Sequence, residues 1–462
     1  MAKLISRRYA LPTARAMLSV LCAVTLAGAV WAQSEHHHGQ QAQQHPSAGD
    51  ATPPGADRLE ATHAPAHKPE SGAGNEGRDS TEHDDHGGHG GHGMVVEESK
   101  HFATIGYDDT RGPRPVQSKR GSAMSGNPAV GKRLARSDIK GRCLNCHVLD
   151  KEGVLAGDVG PNLSRYATWG RDAAYTFQQV WDARAHNPRT IMPPFGPNDL
   201  LSKAEVTHIV AYLHTLKHAI TEPQRPSVRK PRERVHVAGV DFSAADDHLD
   251  AGSAAFGQAG KNGRSCASCH SPQAKESVDL GGAASRYPRF DESLGRVVGL
   301  EEQVNNCRER RMASDPLPLG SRVMNLLAGY VKYIGRENAI KIDTGAAGAD
   351  AFERGRASFR RKAGQLNFSC ADCHDAAAGK WARGQRLQKL DQTAGEWPKH
   401  YIALHDLGLI NLRQRILHCQ IVNRTYPLPL HSQEYLDLEY YLTRLASGSS
   451  ILAPTMTRLR GE

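Results

Sequence analysis

The pattern C-x-x-C-H occurs three times in 462 residues, at Cys143 to His147, Cys266 to His270 and Cys370 to His374. Each copy is followed, 37 to 45 residues beyond its histidine, by a residue with a ligating sulfur: Met192, Cys307 and Cys419. C-x-x-C-H is the attachment signature of c-type haem, in which two thioethers hold the porphyrin and the histidine ligates the iron. Three copies, each with its own downstream sulfur, disfavour a zinc site or a thioredoxin-type dithiol, for which one or two copies would serve. The cofactor expected is therefore three covalently bound haem c groups. Cys143, Cys146, Cys266, Cys269, Cys370 and Cys373 would attach them, and His147, His270 and His374 would be the proximal iron ligands.

The surroundings of each motif repeat as well. An amphipathic helix with a central tyrosine is expected some twenty residues after each sulfur residue. In the first copy Ser202 and Glu205 form a capping box before Val206, Ile209, Val210, Leu213 and Leu216. In the second, Val323, Leu326, Leu327, Tyr330 and Ile334 share a face, with Gly335 placed to end the helix. The third has Leu438, Tyr441, Leu442 and Leu445, ending near Gly448. Upstream, Gly252-x-x-x-Phe256 and Gly355-x-x-x-Phe359 predict matching first helices, and Gly131 with Leu134 is a weaker counterpart. The fold class predicted is mainly α, with three class I cytochrome c-like helical haem domains in tandem.

These domains are preceded by two segments of other character. Residues 1–32 carry Arg7, Arg8 and Arg15, then an apolar run from Met17 to Trp31, and read as a signal peptide. The run is too short to span a bilayer comfortably, so no stable membrane span is expected and the compartment implied is the periplasm. Residues 33–120 are rich in Gly, His, Pro and Ser and cannot bury enough apolar surface to fold. Ten of the 24 histidines lie between His36 and His92. They form either a solubilising linker or a tether for Cu or Zn, since imidazole suits both metals. The remaining divisions are 121–220 for the first haem domain, a basic, Pro-rich linker at 221–237, then 238–340 and 341–462 for the other two.

Of the formal charge of +9, residues 33–100 contribute −8 and residues 101–462 contribute +13. A basic folded part concentrates small anions and steers acidic partners. Nucleic acid is not expected, because no basic run is interleaved with aromatics and no helix-turn-helix pattern is present.

Cys307 and Cys419 decide the function. A disulfide between them is one reading for an oxidising compartment. Iron ligation is the other, and the repeat favours it by placing both where Met192 stands in the first copy. Thiolate ligation lowers a haem potential and His/Met ligation raises it, so the first domain suits electron acceptance and the cysteine sites suit chemistry at sulfur. Arg415 lies four residues before Cys419 in a stretch whose apolar spacing allows a helix. Its guanidinium would then share a face with the sulfur and grip an oxyanion, or else pair with a haem propionate. Arg308 and Arg311 beside Cys307 have the same two options.

The sequence resembles a fusion of the two subunits of the SoxAX cytochrome, the haem enzyme that opens the bacterial Sox thiosulfate pathway. Residues about 125 to 220 look like SoxX, through Gly141-Arg142-Cys143-Leu144-Asn145-Cys146-His147, Gly157 to Leu163, and Met192-Pro193-Pro194-Phe195-Gly196. Residues about 235 to 460 look like a dihaem SoxA, through Tyr287-Pro288-Arg289, Asn306-Cys307-Arg308, Gly364 to Asp375, and Cys419 with Arg415. The resemblance implies an L-cysteine S-thiosulfotransferase that conjugates thiosulfate oxidatively to a cysteine of the SoxYZ carrier protein, releasing two electrons. It makes His374 and Cys419 the ligands of the active-site haem, with Arg415 binding the sulfonate end. His147 and Met192 would hold the haem that passes electrons to a soluble cytochrome c, and His270 and Cys307 would hold the remaining one. The rivals are a thiosulfate dehydrogenase that makes tetrathionate and a pure electron-transfer cytochrome.

Overall fold

A close approach of two helices recurs three times along the chain, and a glycine permits it each time. The computed structural model describes residues 125–152, 155–221, 236–237, 240–241, 244–274, 277–336, 338–343, 345–391, 393–400 and 408–456. The expected signal peptide and the His-rich segment fall outside these residues. So does most of the 221–237 linker, whose last two residues pair with Val240–Asp241 in a short antiparallel ladder.

The described residues are mainly helical. Nine helices of eight residues or more form three successive groups: α1 (Pro128–Arg136), α2 (Ala173–Trp181) and α3 (Lys203–Leu213); α4 (Ala244–Gly257), α5 (Leu300–Met312) and α6 (Arg322–Ile334); α7 (Ala349–Arg360), α8 (Leu412–Val422) and α9 (Gln433–Leu445). In each group the first helix packs on the last. At the crossings, a Cβ on Gly131 would stand 1.9 Å from the His208 carbonyl oxygen, one on Gly252 2.7 Å from that of Leu326, and one on Gly355 2.1 Å from that of Asp437. Beside the second and third crossings, Phe256 lies 5.2 Å from Tyr330 and Phe359 5.5 Å from Tyr441, ring centre to ring centre. Gly355→Ala forces two backbones apart and is expected to cost about 1–3 kcal/mol. Gly257→Ala, whose Cβ would meet nothing within 4 Å, should be near neutral, and urea midpoints compare the two.

Local signals set the helix ends. The Ser202 and Glu205 box caps α3. Asn127 accepts from two amides at the start of α1, and Asn411 with Gln414 forms an unanticipated box at the start of α8. In α6 the buried face is turned by about one residue from expectation. Val323 and Ile334 are exposed, while Met324, Leu327, Ala328 and Val331 are buried. Gly335 does end α6, but at φ −85°. Its glycine is demanded instead by close approach, since a Cβ would lie 2.7 Å from that of Ala284.

The first group has its own core, which also takes in Leu366 from the third. The second and third groups share a core in which Phe256, Leu327 and Val331 meet Leu436, Tyr440 and Ile451. The strands are all short. The ladder Trp381–Ala382 with Gln385–Arg386 bears on the site, and a three-stranded sheet places Lys399–His400 between Leu409–Ile410 and Thr455–Met456. Among the described residues no helix is long and apolar enough to cross a membrane.

Charges are buried where the second and third groups meet. Arg413 of α8, 2% exposed, donates from Nη2 to Glu301 Oε2 at 2.6 Å, and its Nε lies 3.0 Å from Glu439 Oε2. Lys332 donates to the carbonyls of Ala284 and Tyr287 and lines, with both glutamates, a cavity of about 30 Å³. Burial drives the Glu439 carboxyl up to about 7, Glu301 adding to the rise while Arg413 and Lys332 oppose it. A folded pKa above the unfolded one stabilises below about pH 4.3, and that contribution is lost as pH rises through 7. The expected slope in that window is about 1.4 kcal/mol per pH unit. Urea midpoints between pH 4 and 8 should show Glu439→Gln flattening it, and an unchanged slope would exclude Glu439 as its source.

Candidate active site

The three C-x-x-C-H motifs sit on single tight turns. In the first two, the histidine amide donates to the carbonyl of the first cysteine, His147 to Cys143 at 2.9 Å and His270 to Cys266 at 3.0 Å. The turns that start the second and third motifs are tied in the same way. Ser265 pairs reciprocally with Ser268, and Ser369 with Asp372, through side chain and backbone amide.

Each histidine is oriented by one device. His147 Nδ1 lies 2.7 Å from the Pro161 carbonyl, His270 Nδ1 3.1 Å from that of Val278, and His374 Nδ1 2.6 Å from that of Gln388. A carbonyl only accepts, so each Nδ1 carries the proton and each Nε2 keeps its lone pair for a metal. Burial lowers the pKa of His147 and of His374, which favours the same neutral imidazole. Gly160 is needed beside His147, where a Cβ would meet the ring at 2.2 Å. Two thiols, an oriented imidazole and a downstream sulfur make a donor set that fits covalently attached haem c.

The sulfur residues differ in their supports. Met192 is on the loop after α2, where its amide donates to Thr190 Oγ1 at 3.1 Å and Gln179 Nε2 approaches its sulfur at 3.6 Å. Cys307 is on α5 and Cys419 on α8, and no disulfide joins them or any other of the eight described cysteines. The residue one turn before each cysteine sets the two apart. Before Cys307 it is Gln303, whose amide reaches the sulfur at 3.5 Å. Before Cys419 it is Arg415, on the helix that the apolar spacing predicts. Arg308 donates through Nε and Nη2 to the Asp315 carbonyl at 3.2 and 3.1 Å, which ties it to the loop after α5, and Arg311 is exposed.

Two groups at the site were not anticipated. Arg415 Nη1 donates to His418 Nδ1 at 2.9 Å. Burial, then the charges of Arg415 and Arg383, lowers the His418 pKa to about 4, so the ring accepts from arginine without competing as a cation. Arg383 stands on the turn of the Trp381–Arg386 hairpin, where φ is positive at Arg383 and at Gly384. That Arg-Gly pair is a readable turn signal. Nothing local says which surface the turn meets.

It meets the first helical group. The Arg383 amide donates to the Asn145 carbonyl at 3.3 Å, inside the first C-x-x-C-H. Asp158 and Trp381 exchange bonds of 3.0 and 2.6 Å. Buried Asn198 and Gln365 exchange amide bonds of 2.9 and 2.8 Å. The seam encloses a cavity of about 2360 Å³, lined by Cys146, His147 and Met192 on one side and by Cys373, His374 and Cys419 on the other. Arg383, Arg415 and His418 also line it. An ordinary small-ligand pocket holds roughly 300–1,000 Å³, so this volume suits more than one large group. Cys266, Cys269, His270 and Cys307 do not line it.

Two stretches of the chain match cytochrome c families. Residues 251–340 match the family described as SoxA/TsdA, cytochrome c domain, and residues 129–217 match that described as cytochrome c. An L-cysteine S-thiosulfotransferase subunit SoxA from Paracoccus pantotrophus is 31% identical over 206 residues, which is 45% of this chain and 67% of the relative. The corresponding subunit from Pseudaminobacter salicylatoxidans is 29% identical over 198 residues, covering 43% and 67%. The crystal structure of SoxXA from P. pantotrophus aligns with a TM-score of 0.42 at 25% identity, over 47% of this chain and 79% of that one.

Proposed function

Because the chain belongs to the family of SoxA subunits of L-cysteine S-thiosulfotransferase, we propose that it joins thiosulfate to a cysteine of the SoxYZ carrier protein in the periplasm. In this reading it is a trihaem protein. A SoxX-like first domain is fused to a SoxA-like pair within one chain. His147 with Met192, His270 with Cys307 and His374 with Cys419 would hold the irons.

The reaction balances as thiosulfate plus carrier thiolate giving a carrier S-thiosulfonate and two electrons, with one proton released if the carrier cysteine begins as a thiol. Haem bound at these motifs supplies one-electron acceptance, tuned upward by methionine and downward by thiolate. The chain's own residues do the rest. Arg415 would hold the sulfonate end through paired N–H donors, with the outer sulfur of thiosulfate turned to Cys419. His418, neutral beside it, orients the guanidinium. The Arg383 and Arg415 charges favour the binding of a dianion. Electrons would leave through the site held by His147 and Met192 to a soluble cytochrome c.

One observation carries this reading. Of the two cysteine sites, only that of Cys419 combines a guanidinium one helical turn before the sulfur with a cavity shared with the methionine site. The test is steady-state reduction of an external cytochrome c by thiosulfate, with and without the carrier. Reduction that requires the carrier supports the transferase. Turnover by thiosulfate alone, with tetrathionate as product, would make the chain a thiosulfate dehydrogenase. No reduction in either case would leave an electron-transfer cytochrome.

A further inference from the structure

The Trp381–Arg386 hairpin belongs to the third helical group yet is bonded mainly to the first. On the hairpin's side the contact is all backbone: Arg383 N donates to Asn145 O at 3.3 Å, Trp381 O accepts from the Asp158 amide and Trp381 N donates to Asp158 Oδ1. Leu155 packs beneath the turn, where a Cβ on Gly384 would lie 3.0 Å from its Cδ1. The turn is thus held in place whatever side chain occupies position 383. At that position the chain puts a permanently charged guanidinium, on the wall of the cavity that the first and third C-x-x-C-H motifs share.

Cys146 and His147 line that cavity on one side and Cys373 and His374 on the other, whereas Cys266, Cys269, His270 and Cys307 of the second site do not.

We propose that Arg383 tunes electron affinity, a single guanidinium that stabilises the reduced state at both the His147 and the His374 haem sites. A positive charge lowers the free energy of an added electron at either side of the seam; Arg383 is exposed, so salt screens the effect and it is read at low ionic strength. This role rests on haem being bound at the two motifs and is independent of what the substrate is. Its failure is therefore distinguishable from failure of the thiosulfate reading.

The experiment is a spectroelectrochemical titration of the haem-loaded chain as wild type, Arg383→Asn and Arg383→Lys. Asparagine removes the charge and tolerates positive φ, so the turn survives. For Arg383→Asn the equilibrium constant for reduction should fall about tenfold at both sites, a downward shift of about 59 mV for a one-electron couple. The His270 site should not move, and Arg383→Lys should retain most of the wild-type values. No shift, a shift at only one of the two sites, or an equal shift at all three would overturn the proposal. Should Arg383→Asn fail to load haem, Arg383→Gln is the neutral substitute, read by the same criteria.

Discussion

Cys419→Ala is expected to abolish thiosulfate-dependent turnover, by roughly 10³-fold or more, with haem still attached at Cys370 and Cys373. Loss of a single charge-stabilising donor costs about 10²–10³-fold, and Cys419 would be both the iron ligand and the sulfur nearest the reacting bond. Arg415→Ala removes only the anion grip and should fall in that lower range. Arg415→Lys keeps the charge but not the planar fork and should be intermediate. Cys307→Ala supplies the contrast. It alters a site with Gln303 in place of arginine and no share of the large cavity, so most turnover should remain. Rates with the carrier saturating, alongside haem content by mass, separate these outcomes. Equal losses at Cys307 and Cys419 would show that either site can do the work, against the assignment of catalysis to the third helical group.

Arg413→Met should cost about 3–5 kcal/mol of stability, the largest effect expected of any substitution outside the site. Arg413 is 2% exposed and faces two carboxylates, Glu301 from α5 and Glu439 from α9. Removing the cation leaves two carboxylates buried without it, which is far costlier than deleting a whole ion pair. The double variant Arg413→Met with Glu301→Leu should therefore recover part of the loss, and adding Glu439→Gln more. Chemical denaturation of the four proteins measures the series. If the double variant is worse than the single, the contribution lies in packing and not in paired charge. Arg413 lies two residues from Arg415, so the same salt bridge anchors the helix of the proposed active site against the second group.

What could be read from the residues was whatever is local and periodic. The C-x-x-C-H motifs, the crossing glycines Gly131, Gly252 and Gly355, the Ser202 capping box and the i, i+4 relation of Arg415 to Cys419 all follow from spacing along one element. The face of α6 was misjudged by a residue because Val323 and Ile334 stand at helix ends, where apolar side chains can stay exposed without breaking the pattern. Arg413 and His418 gave no signal, and Arg383 with Gly384 marked only a turn. An arginine in a sequence reads as surface, and each of these three depends on a surface that a different part of the chain supplies. The site is the meeting of segments about 240 residues apart, from Asn145 to Arg383, and no window along the sequence contains that meeting.

The amide exchange between Asn198 and Gln365 joins two folded groups that peptide bonds also connect. Docking is therefore unimolecular. Linked partners see each other at an effective concentration of about millimolar for short flexible tethers, whatever the amount of protein in solution. A complex of separate chains with the same contacts would come apart on dilution, and its specific activity would fall with it. In this chain specific activity should be independent of dilution, and under the proposed function a cell would need no matched expression of two genes to keep one electron acceptor beside each thiosulfate site.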